Sequence, residues 1–173
     1  MKRTLLFQGQ RLLYNKSLVK GLLIYFFMSY LVAHGFSLLA LKAPAATYSL
    51  TSMIFGAEHI WSSITWLVHY TNVIPAILMI GLIRSDFQWN MMRQNIINGF
   101  SRKDICIGYG VMVLFFSLIS VGLVILLVAI FSSGGGIYLS MDEILVLLSK
   151  FGLHCLVIYS FAYFIGFFVR STV

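Results

Sequence analysis

The chain has 173 residues, of which 60% are apolar and only 10% are charged, with a mean hydropathy of +0.95. A soluble domain carries roughly 25% charged and 45–50% apolar residues, so soluble cytosolic, disordered and collagen-like classes are excluded. The net charge of +7 invites a nucleic-acid reading, which the positions of the charges remove.

The N-terminal segment, residues 3–20, repeats apolar side chains every seven residues (Leu5, Leu12, Val19; Leu6, Leu13; Phe7, Tyr14) and puts Gln8, Arg11, Asn15 and Lys16 on the remaining surface. That pattern suits an amphipathic helix lying in the membrane interface. Gly9 weakens it, and a plain basic flank that sets topology is the equal alternative. Residues 21–41 form the first apolar run, bracketed by Lys20 and Lys42. Ala43-Pro44-Ala45 resembles a signal-peptidase site, but the run before it is too long for a 7–15-residue signal core. An uncleaved first span is expected.

Further apolar runs cover residues 62–83, 106–131 and 144–169. Each is long enough to cross about 30 Å of hydrocarbon at 1.5 Å per residue. Backbone groups in lipid must be satisfied within the segment, so all four runs are expected to be helices. The expected fold is therefore an all-α integral membrane domain: an interfacial N-terminal helix plus four transmembrane helices in a single unit. Cys106 and Cys155 sit in different runs, form no CxxC, and read as small buried hydrophobes.

Between the second and third runs, Ser85 and Gln88 form a capping-box pattern, with Asp86 in the first turn of the helix that would follow. Trp89, Met92 and Ile96 then make an apolar stripe, and Asn90, Arg93, Gln94 and Asn98 offer hydrogen-bonding groups elsewhere. Gly99 is placed to stop this helix as a C′ residue, and Ser101 with Asp104 caps the third span. A short helix over residues 85–98, fixed at both ends, is expected. It is either a tidy loop helix or a lever that a partner can grip. Ser140 and Glu143 form another capping box before the fourth span.

Ten of the twelve Lys and Arg residues fall on one side of this layout: Lys2, Arg3, Arg11, Lys16, Lys20, Arg84, Arg93, Arg102, Lys103 and Arg170. The positive-inside rule then places both termini in the cytoplasm. The same distribution accounts for the basicity, and no nucleic-acid partner is expected.

Intramembrane ionisable and polar groups are functional candidates. His34, His69 and His154 fall inside the first, second and fourth spans, and His59 precedes the second. Four histidines on four helices suggest haem or metal, but no HxxxH or ExxH spacing occurs, so neutral histidines hydrogen-bonded across helices are expected and no metal. Pro75 should break the backbone ladder of the second span, as a hinge or as static packing. Asn72, one turn earlier, is placed to bond a freed carbonyl or to face a pathway. The five acids lie at or outside the membrane boundaries, and no GxSxG or HExxH motif is present. No catalytic residue is expected.

The stretch GLIRSDFQWNMMRQNIINGFSRKDICIG, residues 81–108, resembles the cytoplasmic loop of ABC-2-type transporter permeases, particularly those of Bacteroidetes-like bacteria. The resemblance rests on Asp86-Phe87, then Arg93-Gln94-Asn95, then Gly99 followed by Ser101-Arg102, and extends more weakly through all four spans. It departs where Asp86 replaces the more frequent Glu and Asn98 the frequent Asp. The resemblance implies a permease subunit of a bacterial inner-membrane exporter. The loop helix would be the coupling helix that docks on a separate ATP-binding subunit, with ATP and Mg held by that partner and no cofactor in this chain. It implies a second permease chain, identical or not. Asp86, Trp89, Asn90, Met92, Arg93, Gln94, Asn98 and Arg102 would form the docking surface. The chain itself lacks GxxxxGK[ST]. Such permeases have six spans, so the resemblance also implies a chain truncated after the fourth, unable to transport alone. The competing expectation is a self-contained four-helix membrane protein acting as an oligomeric scaffold or complex subunit.

Overall fold

A computed structural model describes residues 16–42, 60–88, 91–97, 99, 101–131 and 140–169. Helix α1 spans Lys16–Lys42, α2 Ile60–Thr71, α3 Val73–Gln88, α4 Met91–Ile97, α5 Arg102–Phe131 and α6 Met141–Val169. The described residues contain four helical segments long and apolar enough to cross a membrane: α1, α2 with α3, α5 and α6. At 1.5 Å per residue the 30-residue α5 is about 45 Å long. Such a helix covers the hydrocarbon and projects beyond it.

The boundaries follow local chemistry. Ser140 donates its backbone N–H to Glu143 Oε2 (3.0 Å), and its Oγ accepts the Glu143 N–H (3.4 Å). This is the expected capping box, and it starts α6 before the apolar run. The segment expected as an interfacial helix is described only from Lys16, and residues 16–20 already belong to the spanning helix α1; residues 3–15 lie outside the described residues.

The second span is two helices. Asn72 is a turn residue between α2 and α3, three positions before Pro75. Proline has no N–H to give the Thr71 carbonyl, and its ring crowds that same carbonyl. Backbone bonds persist on either side of the joint, from Asn72 N to Val68 O (3.1 Å) and from Ala76 N to Asn72 O (3.3 Å). The expected break is therefore present, and it falls at Asn72.

Helix α6 packs along both α3 and α5, while α1 lies against α2 and α3, and α2 against α5. Two glycines set the closeness. Around Gly166 on α6, an added Cβ would meet three side-chain atoms of Ile83 at 3.0–3.2 Å, and around Gly21 on α1 it would collide with Leu78. Small residues at helix crossings let backbones approach, the means by which membrane helices gain van der Waals contact. Leu23, Leu118, Leu153 and Phe161 lie more than 60% exposed, while Ser29, Thr71, Asn72, Asp86, Ser117 and Ser120 are buried. The bundle thus presents large apolar side chains outward and gathers this set of polar groups within.

Candidate functional site

Three arrangements carry chemistry. They lie at the α4 end of the bundle, at its middle, and in a cleft toward the opposite end.

At the α4 end, Gly99 has φ +87° and donates its N–H to the Ile96 carbonyl (3.1 Å), closing α4 as a left-handed C-cap. Ser101 then opens α5. Its N–H and hydroxyl both donate to Asp104 Oδ2 (3.1 and 2.6 Å), and its Oγ accepts the Asp104 N–H (3.2 Å). Both expected caps are in place. On α4, Arg93 and Gln94 are exposed, with Ile96 49% and Ile97 75% exposed; Arg102 is also exposed at the start of α5. Trp89, Asn90, Asn98 and the side chain of Met92 lie outside the described residues.

Two expectations at this end are corrected. Ser85 does not cap a new helix, because α3 continues unbroken through Gln88. A capping residue must leave helical dihedrals, and nothing between Gly81 and Gln88 stops the helix already running. Asp86 therefore sits in the last turn of α3, and it is 1% exposed. Its Oδ2 accepts a 2.6 Å hydrogen bond from the Tyr109 hydroxyl of α5. Buried in this way, Asp86 cannot form part of a docking surface; it ties α3 to α5. Tyr109 lies against Tyr163 and Phe167 of α6 at centroid separations of 5.5 and 5.8 Å, and Phe87 meets Phe167 edge-on at 5.3 Å. These contacts pack the Tyr109 ring into an aromatic cluster contributed by α3, α5 and α6. Tyr109 has a polar tip on an aromatic body and needs a partner when buried, the one signal by which the pair was discoverable from sequence.

At the middle, Asn72 has no exposed surface and bonds side chains from two other helices. Its Oδ1 accepts the hydroxyls of Tyr25 on α1 (2.7 Å) and Tyr159 on α6 (3.2 Å). Its Nδ2 donates to Cys155 Sγ (3.3 Å). Ser120 on α5 lies 2.6 Å from the Tyr159 oxygen and also accepts from Tyr25 at 3.1 Å. Proton counting resolves the direction: with Tyr159 donating to Asn72, Ser120 donates to Tyr159, and Tyr25 divides its proton between Asn72 and Ser120. Next to Asn72, Thr71 donates to the Val68 carbonyl (2.9 Å), so Ser29 donates to Thr71 (2.8 Å). Asn72 was expected to bond a freed carbonyl or face a pathway. Instead its side chain turns inward and bonds α1 and α6 directly, with α5 joined to them through Ser120. Cys155 is buried as expected, whereas Cys106 is exposed.

Toward the opposite end, α2 and α6 flank a cleft of about 730 Å³. The imidazoles of His69 and His154 meet there, centroids 4.1 Å apart and planes tilted by 33°. The expected hydrogen bonding of histidines across helices is replaced by this ring contact. His34 is on an exposed face and stacks on Tyr30 of its own helix at 5.7 Å. His59 lies outside the described residues. No protein family, curated protein or solved structure matches this chain.

Proposed function

We propose that this chain is the membrane-spanning permease subunit of an ABC-2-type exporter in a bacterial inner membrane, with both termini cytoplasmic. One observation carries the reading. The short helix α4 is stopped by a left-handed glycine and followed at once by a capped spanning helix, and it offers Arg93, Gln94, Ile96 and Ile97 outward. That surface combines guanidinium and aliphatic groups, suited to a carboxylate-bearing, partly apolar groove on an ATP-binding subunit. Closure of a pair of ATPases on ATP pushes α4. The Asp86–Tyr109 bond links the helices on either side of α4, so the push moves α3 and α5 together. The joint at Asn72 and Pro75 is where the second span accommodates the movement. ATP and Mg belong to the partner, and two permease chains enclose the path.

One observation favours the alternative, a self-contained four-helix membrane protein serving as a scaffold. The central cluster draws polar side chains from every span and satisfies them internally. The test separates the two. Arg93→Glu combined with Arg102→Glu should abolish co-purification of an ATP-binding subunit while membrane insertion is unchanged. Unaltered co-purification refutes the docking surface, and an absent ATPase in the unmodified protein leaves the scaffold.

A further inference from the structure

We propose that the cleft between α2 and α6 binds a phospholipid with an ethanolamine headgroup, its ammonium at the mouth beside Asp142 and its phosphate on Lys150. The site goes beyond the permease reading and depends only on the bundle spanning a membrane. Asp142, Val146, Lys150 and His154 recur every four residues along α6, and all line the cleft. That spacing puts them in one row on one face of the helix. Asp142 and Lys150 stand about 12 Å apart along the helix axis, beyond the three- or four-residue spacing of an ion pair within a helix. Among the described residues neither charge has an ion-pair partner. Glu143, the other acid at the mouth, already accepts the Ser140 N–H. A free carboxylate above a free ammonium is the complement of a zwitterion that points its cation outward. An ethanolamine phospholipid has that order: ammonium, phosphate, ester carbonyls, chains.

The deeper lining continues the match. A lysine at a membrane boundary keeps its stem on apolar surface and its head toward water, where a phosphate takes a charge-assisted hydrogen bond. One turn deeper, about 6 Å along α6, His154 meets His69 ring to ring at 4.1 Å. Each neutral imidazole carries one N–H, a donor for the ester carbonyls. The α2 wall is Trp66 and Tyr70, edge to face at 4.7 Å and both more than half exposed, the residue types that favour the headgroup level. Past the imidazoles the same side of α6 exposes Val157 and Phe161, three and seven positions beyond His154, a track for an acyl chain. The cleft of about 730 Å³ lies within the range of ligand pockets. An anionic lipid would leave the Asp142 carboxylate without a counter-charge, and a choline headgroup offers it no N–H.

The test uses the full chain, delipidated in detergent, with native mass spectrometry counting bound dioleoyl lipids. The first ethanolamine lipid should bind at least tenfold more tightly than the choline or the glycerol lipid. Asp142→Asn should erase that preference, and Lys150→Gln should weaken the ethanolamine lipid at least tenfold. Equal affinities in the unmodified chain overturn the site, as does an unchanged affinity in either variant. A second measurement needs no variant. In nanodiscs of choline lipid, a trace of ethanolamine lipid with a photoreactive group near the glycerol should crosslink chiefly within residues 62–70 and 146–161. Crosslinks spread evenly over the spans, or confined to other segments, overturn it. Release of the chain from membranes by alkaline carbonate overturns the spanning bundle together with the site, whereas retention with equal affinities overturns the site alone.

Discussion

The α4 end and the middle of the bundle are held by hydrogen bonds of similar length but of opposite reach. At the α4 end the cap bonds join residues three apart, Gly99 to Ile96 and Ser101 to Asp104. In the middle they join residues 39 to 95 positions apart, from Ser120–Tyr159 to Tyr25–Ser120. Local bonds fix where a helix begins or ends whatever its neighbours do. Distant bonds fix which helices are neighbours. The Asp86–Tyr109 bond, 23 positions long, is intermediate and converts a loop into a rigid corner.

The comparison can be broken at its strongest point by Asn72→Leu, which keeps the branching of the side chain and deletes three inter-helix bonds. At about 0.6 kcal/mol per bond between membrane helices, stability to denaturing detergent should fall by about 2 kcal/mol. In the same variant a membrane-permeant maleimide should label Cys155 faster than in the parent, where only Cys106 reacts promptly. Unchanged labelling of Cys155 removes the Asn72 cluster as the tie between the spans. Tyr109→Phe should cost about 1.5 kcal/mol, the lower end for a bond to a carboxyl group that is then left buried without this donor. If detergent unfolding is unaltered, the corner is not a source of rigidity. Ser101→Ala should cost about 1 kcal/mol through loss of the N-cap, seen as fraying of α5 by amide exchange confined to its first turn. Combining Ser101→Ala with Asn72→Leu should be additive within about 0.5 kcal/mol, as for distant sites that share no partner. A larger coupling energy would join the two regions that the contact pattern separates.

Legibility in the sequence divides along the same line. The caps at Gly99, Ser101 and Ser140 and the break near Pro75 were readable because each depends on a few adjacent residues. Ser85 shows the limit of that logic. Ser-x-x-Gln carries capping chemistry only if the chain has already left the helix, and the apolar drive for a full-length span carried α3 past it. Asp86 was then displaced from the start of one helix to the end of another. A carboxylate at a helix C-terminus opposes the dipole, and the Tyr109 hydroxyl offsets that cost. The middle was illegible for a different reason. Tyr25, Ser120 and Tyr159 look like ordinary members of apolar runs, and only packing reveals that the two tyrosine hydroxyls share one amide and that Ser120 bridges them. The His69–His154 contact was hidden likewise, since spacing rules search within a helix and this pair spans two.

The cluster at Asn72 also imposes a timetable on synthesis. Tyr25 precedes Asn72 and is already present when Asn72 is made, but Tyr159 follows 87 residues later. At about 5–20 residues per second, the amide waits roughly 4–17 s for its last partner. During that interval the split helix carries a polar joint that is incompletely matched. Synthesis of α6 supplies the last donor and closes the cluster.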